Sequence, residues 1–320
     1  MDALDQIRPP ARPGERLVVR FRLPDTSATD VLGWLEAVDD DSVALSPEPG
    51  RSVRVDRRTI VAARRVPPAR GGRDPMRTSA EELQRITLPG WVAEHQPLGD
   101  WTLRAGGGFT GRANSCLAVG DPGLPVAEAA ERVVEFSQAH QIPPWAQVVD
   151  DSEPERRLRA LGWTDVYVPT DVLVTRLTDL LADHRPDPRV QLTETLTPQW
   201  LAAYQRSRPN SADPEVLRRI LESEPPRAFA GVADDGRLVA IGRGHLAADW
   251  LGLASIWTDP AWRRQGWAMR IMTALGHWAA RHGGRNVYLQ VAAENGPAHQ
   301  AYQRIGFTRH HGYRYLQAPD

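Results

Sequence analysis

Between residues 251 and 282 the chain passes from an apolar run into a short basic loop and then into a long amphipathic repeat. Leu251 to Ile256 is apolar and ends shortly before Pro260. Arg263 follows three residues later, then Gly266 and Ala268. That order reads as strand, tight loop and helix, and it constrains the fold more than any other stretch. The two small residues let a ligand approach the backbone at the first helical turn. Free amides at a helix start, beside Arg263 and Arg264, make an anion site, with phosphate the natural occupant.

A chain of 320 residues is long enough for two or three domains. With 41% apolar and 25% charged residues it has an ordinary folded composition. The formal charge of −1 argues against a dedicated nucleic-acid binder. The 39 basic residues are all arginine, as expected of a GC-rich genome. Cys116 is the single cysteine, which excludes an intrachain disulfide and a cysteine metal cluster; its apolar run, Ser115 to Val119, makes it a core residue. The N-terminus has neither a basic start nor an apolar core, and no apolar run reaches spanning length, so a cytoplasmic protein without membrane contact is expected.

Residues 1–70 carry short strands at 17–23, 31–38, 42–45, 52–55 and 60–66, separated by the turn clusters 39–41 and 47–50. Five strands in about fifty residues resemble an SH3-like β-barrel. Its arginines read as a solvated strand face. Residues 67–77 are a linker by composition. From there the pattern is mixed α/β. Helices are expected at 80–86, 126–140 and 153–161, and strands at 101–105, 113–119, 146–149, 166–168 and 171–177, with 178–189 as a second connection. The last third repeats the order: a strand at 190–193, helices at 198–206 and 214–222, a hairpin across Asp234-Asp235-Gly236, a strand at 249–258, a helix at 268–282, a strand at 286–291, a helix at 297–304 and closing strands at 307–316.

The two later thirds echo one another. Gln147-Val148 to Gly162-Trp163 and Gln290-Val291 to Gly306-Phe307 share a proline-led helix followed by an apolar residue, glycine and an aromatic. Where the second copy has its basic loop, the first has Gly120-Asp121-Pro122-Gly123-Leu124-Pro125, without arginine. One copy is therefore expected to hold phosphate and the other to have lost it.

Pro260, Arg263, Gly266 and Ala268, followed by Asn295, Ala298, Tyr302, Gly306 and Phe307, resemble the two signatures of the GNAT superfamily of acetyl-CoA-dependent N-acetyltransferases. The resemblance is good over residues 190–317 and weaker before them. It implies an α/β (α+β) chain: a barrel at 1–70, a degenerate GNAT-like domain at 71–185 and a catalytic one at 186–320. It also implies acetyl-CoA as co-substrate, its pyrophosphate held by Arg263, Arg264, Gln265, Gly266, Trp267 and Ala268, its thioester arm by the strand residues Ile256, Trp257 and Thr258, with Asn295, Ala298 and Tyr302 completing the site. Tyr302 matches the family's general acid, and aromatic packing is the other reading. For the base, Asp249 at the strand start stands first, with His245 and Glu222 as further candidates. Of the tryptophans near the loop, Trp262 and Trp267 read as sealing the site against the degenerate copy. The acceptor is an amine, on a small molecule or a protein, and nothing in the sequence selects it. A non-catalytic acetyl-CoA sensor is the alternative reading.

Overall fold

The computed structural model describes every residue except 1–3, 5, 8–9, 49–50, 67–73, 92–93, 183, 209–212, 223 and 320. Most of the linker read at 67–77 therefore lies outside the described residues. Two compact units divide the chain, Met1–Gly71 with His277–Gly283 and the remainder.

In the first unit, β1 (Arg16–Arg22), β2 (Ala28–Val38), β3 (Ser42–Glu48), β4 (Arg51–Asp56) and β5 (Ile60–Arg65) form an antiparallel sheet in the order β4-β3-β2-β1-β5. Alternation decides its core. Leu17 and Val19 of β1 are buried with Val43 and Leu45 of β3, while Arg20 and Arg22 point to solvent. Arg20, Arg54 and Arg58 meet Asp30, Asp39 and Asp41 across exposed surface, which is the solvated face expected.

The second unit holds α1 (Ala80–Thr87), β6 (Glu94–Leu98), β7 (Trp101–Ala105), β8 (Cys116–Ala118), α2 (Val126–Ala139), β9 (Trp145–Val149), α3 (Glu153–Ala160), β10 (Thr164–Asp165), β11 (Thr170–Arg176) and α4 (Leu177–Leu181). It continues with β12 (Gln191–Thr193), α5 (Pro198–Ser207), α6 (Pro214–Leu221), β13 (Arg227–Asp234), β14 (Arg237–Ala247), β15 (Trp250–Thr258), α7 (Trp267–Arg281, of which residues from His277 on count with the first unit), β16 (Asn286–Ala292), α8 (Gly296–Arg304) and β17 (Thr308–Gln317). One mixed sheet runs through both halves in the order β12-β13-β14-β15-β16-β11-β17-β9-β8-β7-β6, with β10 beside β17. The closing strands are exchanged. β11 of the first half bonds to β16 and β17 of the second, and β17 bonds to β9 of the first.

Four local expectations are corrected. Residues 166–168 form no strand, because Pro169 has no amide to continue the ladder and only Thr164-Asp165 pair with Gln317-Leu316. The connection 178–189 begins inside α4, where Leu177, Leu180 and Leu181 bury one face at helical spacing. β6 was not foreseen; its Glu94, His95 and Gln96 are exposed on an edge strand, so no apolar alternation announces it. The closing segment is one long strand rather than several.

Side-chain alternation in β14 sets the two faces of the sheet near the loop. A Cβ on Gly242 would collide with Ile271 of α7 and with Ile256, so only glycine lets that helix lie so close. The intervening Arg243 points to the opposite face and donates from Nε to Leu221 O at the end of α6, 2.9 Å away.

Candidate functional site

Asp259 ends β15 and organises the loop. Its carboxylate accepts from the Ala261 amide at 3.2 Å, capping a single 3-10 turn, and pairs with Arg237 at 2.7 Å. Arg264 (φ 61°) and Gly266 (φ 79°) then take left-handed backbone and turn the chain into α7. The first helical bond runs from the Arg270 amide to Gly266 O at 3.2 Å. The amides of Gly266, Trp267, Ala268 and Met269 thus precede the ladder and have no backbone acceptor among the described residues. Arg263, Arg264 and Gln265 are exposed beside them, and a Cβ at Gly266 would meet nothing within 4 Å. Orphan amides, two guanidinium groups and open space fit a pyrophosphate.

The strand entering this loop is split from its neighbour. β15 and β16 run parallel and pair from Trp250↔Asn286 to Leu253↔Leu289, and no further. The cause is a bulge: Ser255 has φ 55°, and the register of β15 against β14 slips opposite Gly242. Ile256, Trp257 and Thr258 therefore lie on the half of β15 that has left β16, where the Thr258 carbonyl accepts from Arg263 Nε at 3.3 Å. The first half lacks this opening. There β8 pairs with β9 over all three of its residues. The matching loop uses its own donors, Gly123 N to Asp121 Oδ1 at 2.8 Å and Asp121 N to Asp100 Oδ2 at 3.0 Å, and places carboxylates where a phosphate would sit.

A cavity of about 90 Å³ lies at the split, bounded by Gly252 to Ser255 and by Tyr288 and Gln290. The first half contributes Trp91, Phe109 and Arg112; α5 and the residue after it contribute Tyr204 and Arg208. Arg112 and Arg243 stand over the Trp91 ring at 5.0 and 5.3 Å. Arg243 is 1% exposed, and burial pulls its pKa down to about 10, which leaves it charged at neutral pH. His245 is buried as well; desolvation, then Arg243, lowers its pKa to about 4. Its Nε2 lies 3.0 Å from the Glu224 carbonyl, which can only accept. The proton therefore sits on Nε2, leaving Nδ1 as a lone-pair acceptor with no partner among the described residues.

Other expected residues lie outside the cavity wall. Asn295 caps α8, its side chain accepting from the Ala298 amide at 3.2 Å, which explains why those two residue types stand three apart. Tyr302 packs edge-on against Phe307, 5.7 Å between ring centres; its hydroxyl has no partner among the described residues, and burial raises its pKa. Asp249 sits in the turn before β15, six residues and about 20 Å along the strand from Ser255. Glu222 is occupied: it accepts from the Leu196 amide at 2.8 Å and approaches Arg218 at 3.8 Å. Trp267 is buried between Arg189 and Arg270, at 4.8 and 4.6 Å, so it packs on the connection and its own helix rather than on the degenerate copy. Trp250 packs with first-half residues, in a cluster with Leu83, Val172 and Val174. Trp91, Arg112, Arg208, Arg243 and Gln290 were not foreseen as site residues. Only Arg243 left a trace, an arginine between glycines in an apolar strand.

Residues 81–316 match the family model described as "Probable histone acetyltransferase Rv0428c C-terminal", and residues 11–64 match "Rv0428c N-terminal Sm-like domain". The small barrel is thus Sm-like by family. The "Uncharacterized N-acetyltransferase YobR" of Bacillus subtilis (strain 168) is 25% identical over 243 residues, 73% of this chain and 97% of that protein. A GCN5-related N-acetyltransferase from Kribbella flavida shares the fold at TM-score 0.53 and 18% identity, covering 75% of this chain and 96% of its own. A conserved protein of unknown function from Staphylococcus epidermidis ATCC 12228 shares it at TM-score 0.53 and 13% identity, over 74% of this chain and all of its own. This chain belongs to the family described as "Probable histone acetyltransferase Rv0428c C-terminal", and it shares the fold of a GCN5-related N-acetyltransferase.

Proposed function

We propose that the protein transfers acetyl from acetyl-CoA to the nitrogen of an amine, with one working site per chain. The observation that carries this reading is the parting of β15 from β16 directly beside a helix start with four orphan amides. Gly266 to Met269, with Arg263 and Arg264, would hold the pyrophosphate, and the open edge at Ile256, Trp257 and Thr258 would take the pantetheine arm. Bound there, acetyl-CoA supplies an activated thioester. Transfer forms the amide C–N bond and breaks the thioester C–S bond, and the proton lost by the amine balances the one gained by the thiol.

The chain's own groups cover these needs. Backbone amides of the open strand edge polarise the thioester carbonyl, a role requiring no particular side chain. Tyr302, kept protonated by burial, donates to the departing thiolate. Nδ1 of His245, an unpartnered acceptor on the cavity wall, receives a hydrogen of the incoming neutral amine, directly or through water. Asp249 is left out of this scheme because of its distance from the bulge. The family description attaches a histone to Rv0428c, and a protein amine is an acceptor of this same reaction class.

Calorimetric titration with acetyl-CoA, together with an assay of free thiol released on adding amines, tests the reading. Saturable binding and amine-dependent thiol release are expected. Absence of binding by the intact chain would sink it, and binding with silence toward every amine would leave only a sensor.

A further inference from the structure

The cavity is unusual in its charge. Arg112, Arg208 and Arg243 all line it, and no aspartate or glutamate is among the residues that do. Arg243 spends two of its donors on carbonyls, Leu221 O at 2.9 Å and Gly90 O at 3.0 Å. Arg112 is half-buried. Its Nε donates to the Tyr313 hydroxyl at 3.0 Å, and its two terminal nitrogens have no acceptor among the described residues. Arg208, exposed at the edge, leans over the Tyr204 ring at 5.6 Å and likewise has no acceptor for its guanidinium. Gln290 is a third residue with an idle donor, its Nε2 buried on the same wall without a partner among the described residues.

Partly buried guanidinium groups without a counter-charge are costly, and buried donors left unpaired cost as much as a lost hydrogen bond. A ligand that accepts hydrogen bonds and carries negative charge relieves both. A lysine-rich peptide would bring further positive charge into the same space.

Resting on the acetyltransferase reading, we propose that the natural acceptor is a small amine that also bears an anionic group, a carboxylate or a phosphate, seated against Arg112, Arg208 and Gln290. The amine of such a molecule is turned toward the bulge at Ser255. The aromatic faces of Trp91, Phe109, Tyr204 and Tyr288 admit an apolar or planar body between the two ends. The volume of about 90 Å³ holds a few heavy atoms beyond the anion, the scale of an amino acid rather than a polymer.

The test uses matched amines on the full chain loaded with CoA: phenylalanine against phenethylamine, phosphoethanolamine against ethanolamine, and a lysine-rich peptide as a third arm. Binding is read by calorimetry and turnover by thiol release with acetyl-CoA. The anionic member of at least one pair should bind and react at least tenfold better than its neutral partner, and which pair does so separates carboxylate from phosphate. Arg208→Gln, at an exposed position, should lower kcat/KM for the anionic amine several-fold more than for its neutral partner, and Arg112→Gln should widen that difference further. Equal use of both members, preference for the peptide, or no preferential binding of either anionic amine overturns the proposal. Loss of acetyl-CoA binding itself would instead overturn the reading on which it rests.

Discussion

Nδ1 of His310 and Nδ1 of His311 lie 2.7 Å apart, so one ring donates and the other accepts, and a proton added to the accepting nitrogen breaks the contact. Their neighbours settle the direction. Arg104 donates to Gln147 Oε1 at 2.9 Å, and Gln147 Nε2 to Gln84 Oε1 at 2.7 Å. Gln84 Nε2 then faces His311 Nε2 at 2.8 Å and can only donate. His311 in turn gives its Nδ1 proton to His310, whose Nε2 bonds the Thr78 carbonyl at 2.9 Å. A directed chain of five bonds thus crosses the first half of the sheet from a buried arginine to the start of α1.

This chain makes stability fall in mild acid. Burial, with the neighbouring His310 and Arg309 adding to it, lowers the His311 pKa to about 3; that of His245 is lowered to about 4, both from 6.5. The unfolded chain binds these protons from about pH 6.5 downward while the folded chain refuses them. Stability is therefore full above 6.5 and is lost as pH falls toward 4, by about 2 kcal/mol per imidazole at pH 5. Melting curves from pH 8 to 4.5 should show the decline, and His311→Gln should flatten it. A Tm independent of pH across that window would contradict the assignment.

Gly266→Asp and Gly266→Ala separate charge from backbone at the loop. Both must adopt φ 79°, at a cost of about 1 kcal/mol, and neither side chain meets a neighbour. Alanine should weaken acetyl-CoA binding only several-fold. Aspartate sets a carboxylate beside the orphan amides and should weaken it by about 100-fold or more. Equal affinities for the two variants would remove the pyrophosphate from this loop.

Tyr302→Phe and Asp249→Asn differ in expected outcome. Removing the phenol should lower kcat by ten- to a hundredfold with acetyl-CoA affinity unchanged. Removing the Asp249 carboxylate, about 20 Å along the strand from the bulge, should leave kcat within twofold. Steady-state rates and calorimetry on both variants check this; a silent Tyr302→Phe would return that ring to packing.

Cys116 should be inert in the native protein. It is 2% exposed, and burial raises its thiol pKa to about 12. A thiol reagent at pH 8 should label less than a tenth of the chains until denaturant is added; rapid native labelling would contradict the closed core between β7 and β9.

The loop at 260–268 was legible because its requirements are local. A proline, two arginines and a glycine at fixed spacing make a basic turn into a helix start, whose free amides are set by local backbone geometry alone. The same holds for Asn295 and Ala298, whose spacing is that of a helix cap. β10 escaped because it gains its strand character from β17, distant in sequence, and β6 because its exposed edge-strand residues show no apolar alternation.

The mixed α/β pattern, the small β domain before it and the basic loop at 260–268 all follow from periodicity and turn chemistry within short windows. The cavity at the strand split does not. Arg112 and Trp91 come from the first half, Arg208 from the end of α5, Arg243 from β14 and Gln290 from β16. They meet only because β11 and β17 are exchanged between halves and Ser255 forces β15 away from β16. Charge complementarity depends on distance in space, and that distance was set by sheet pairing between residues as far apart in sequence as Trp145 and Gln317.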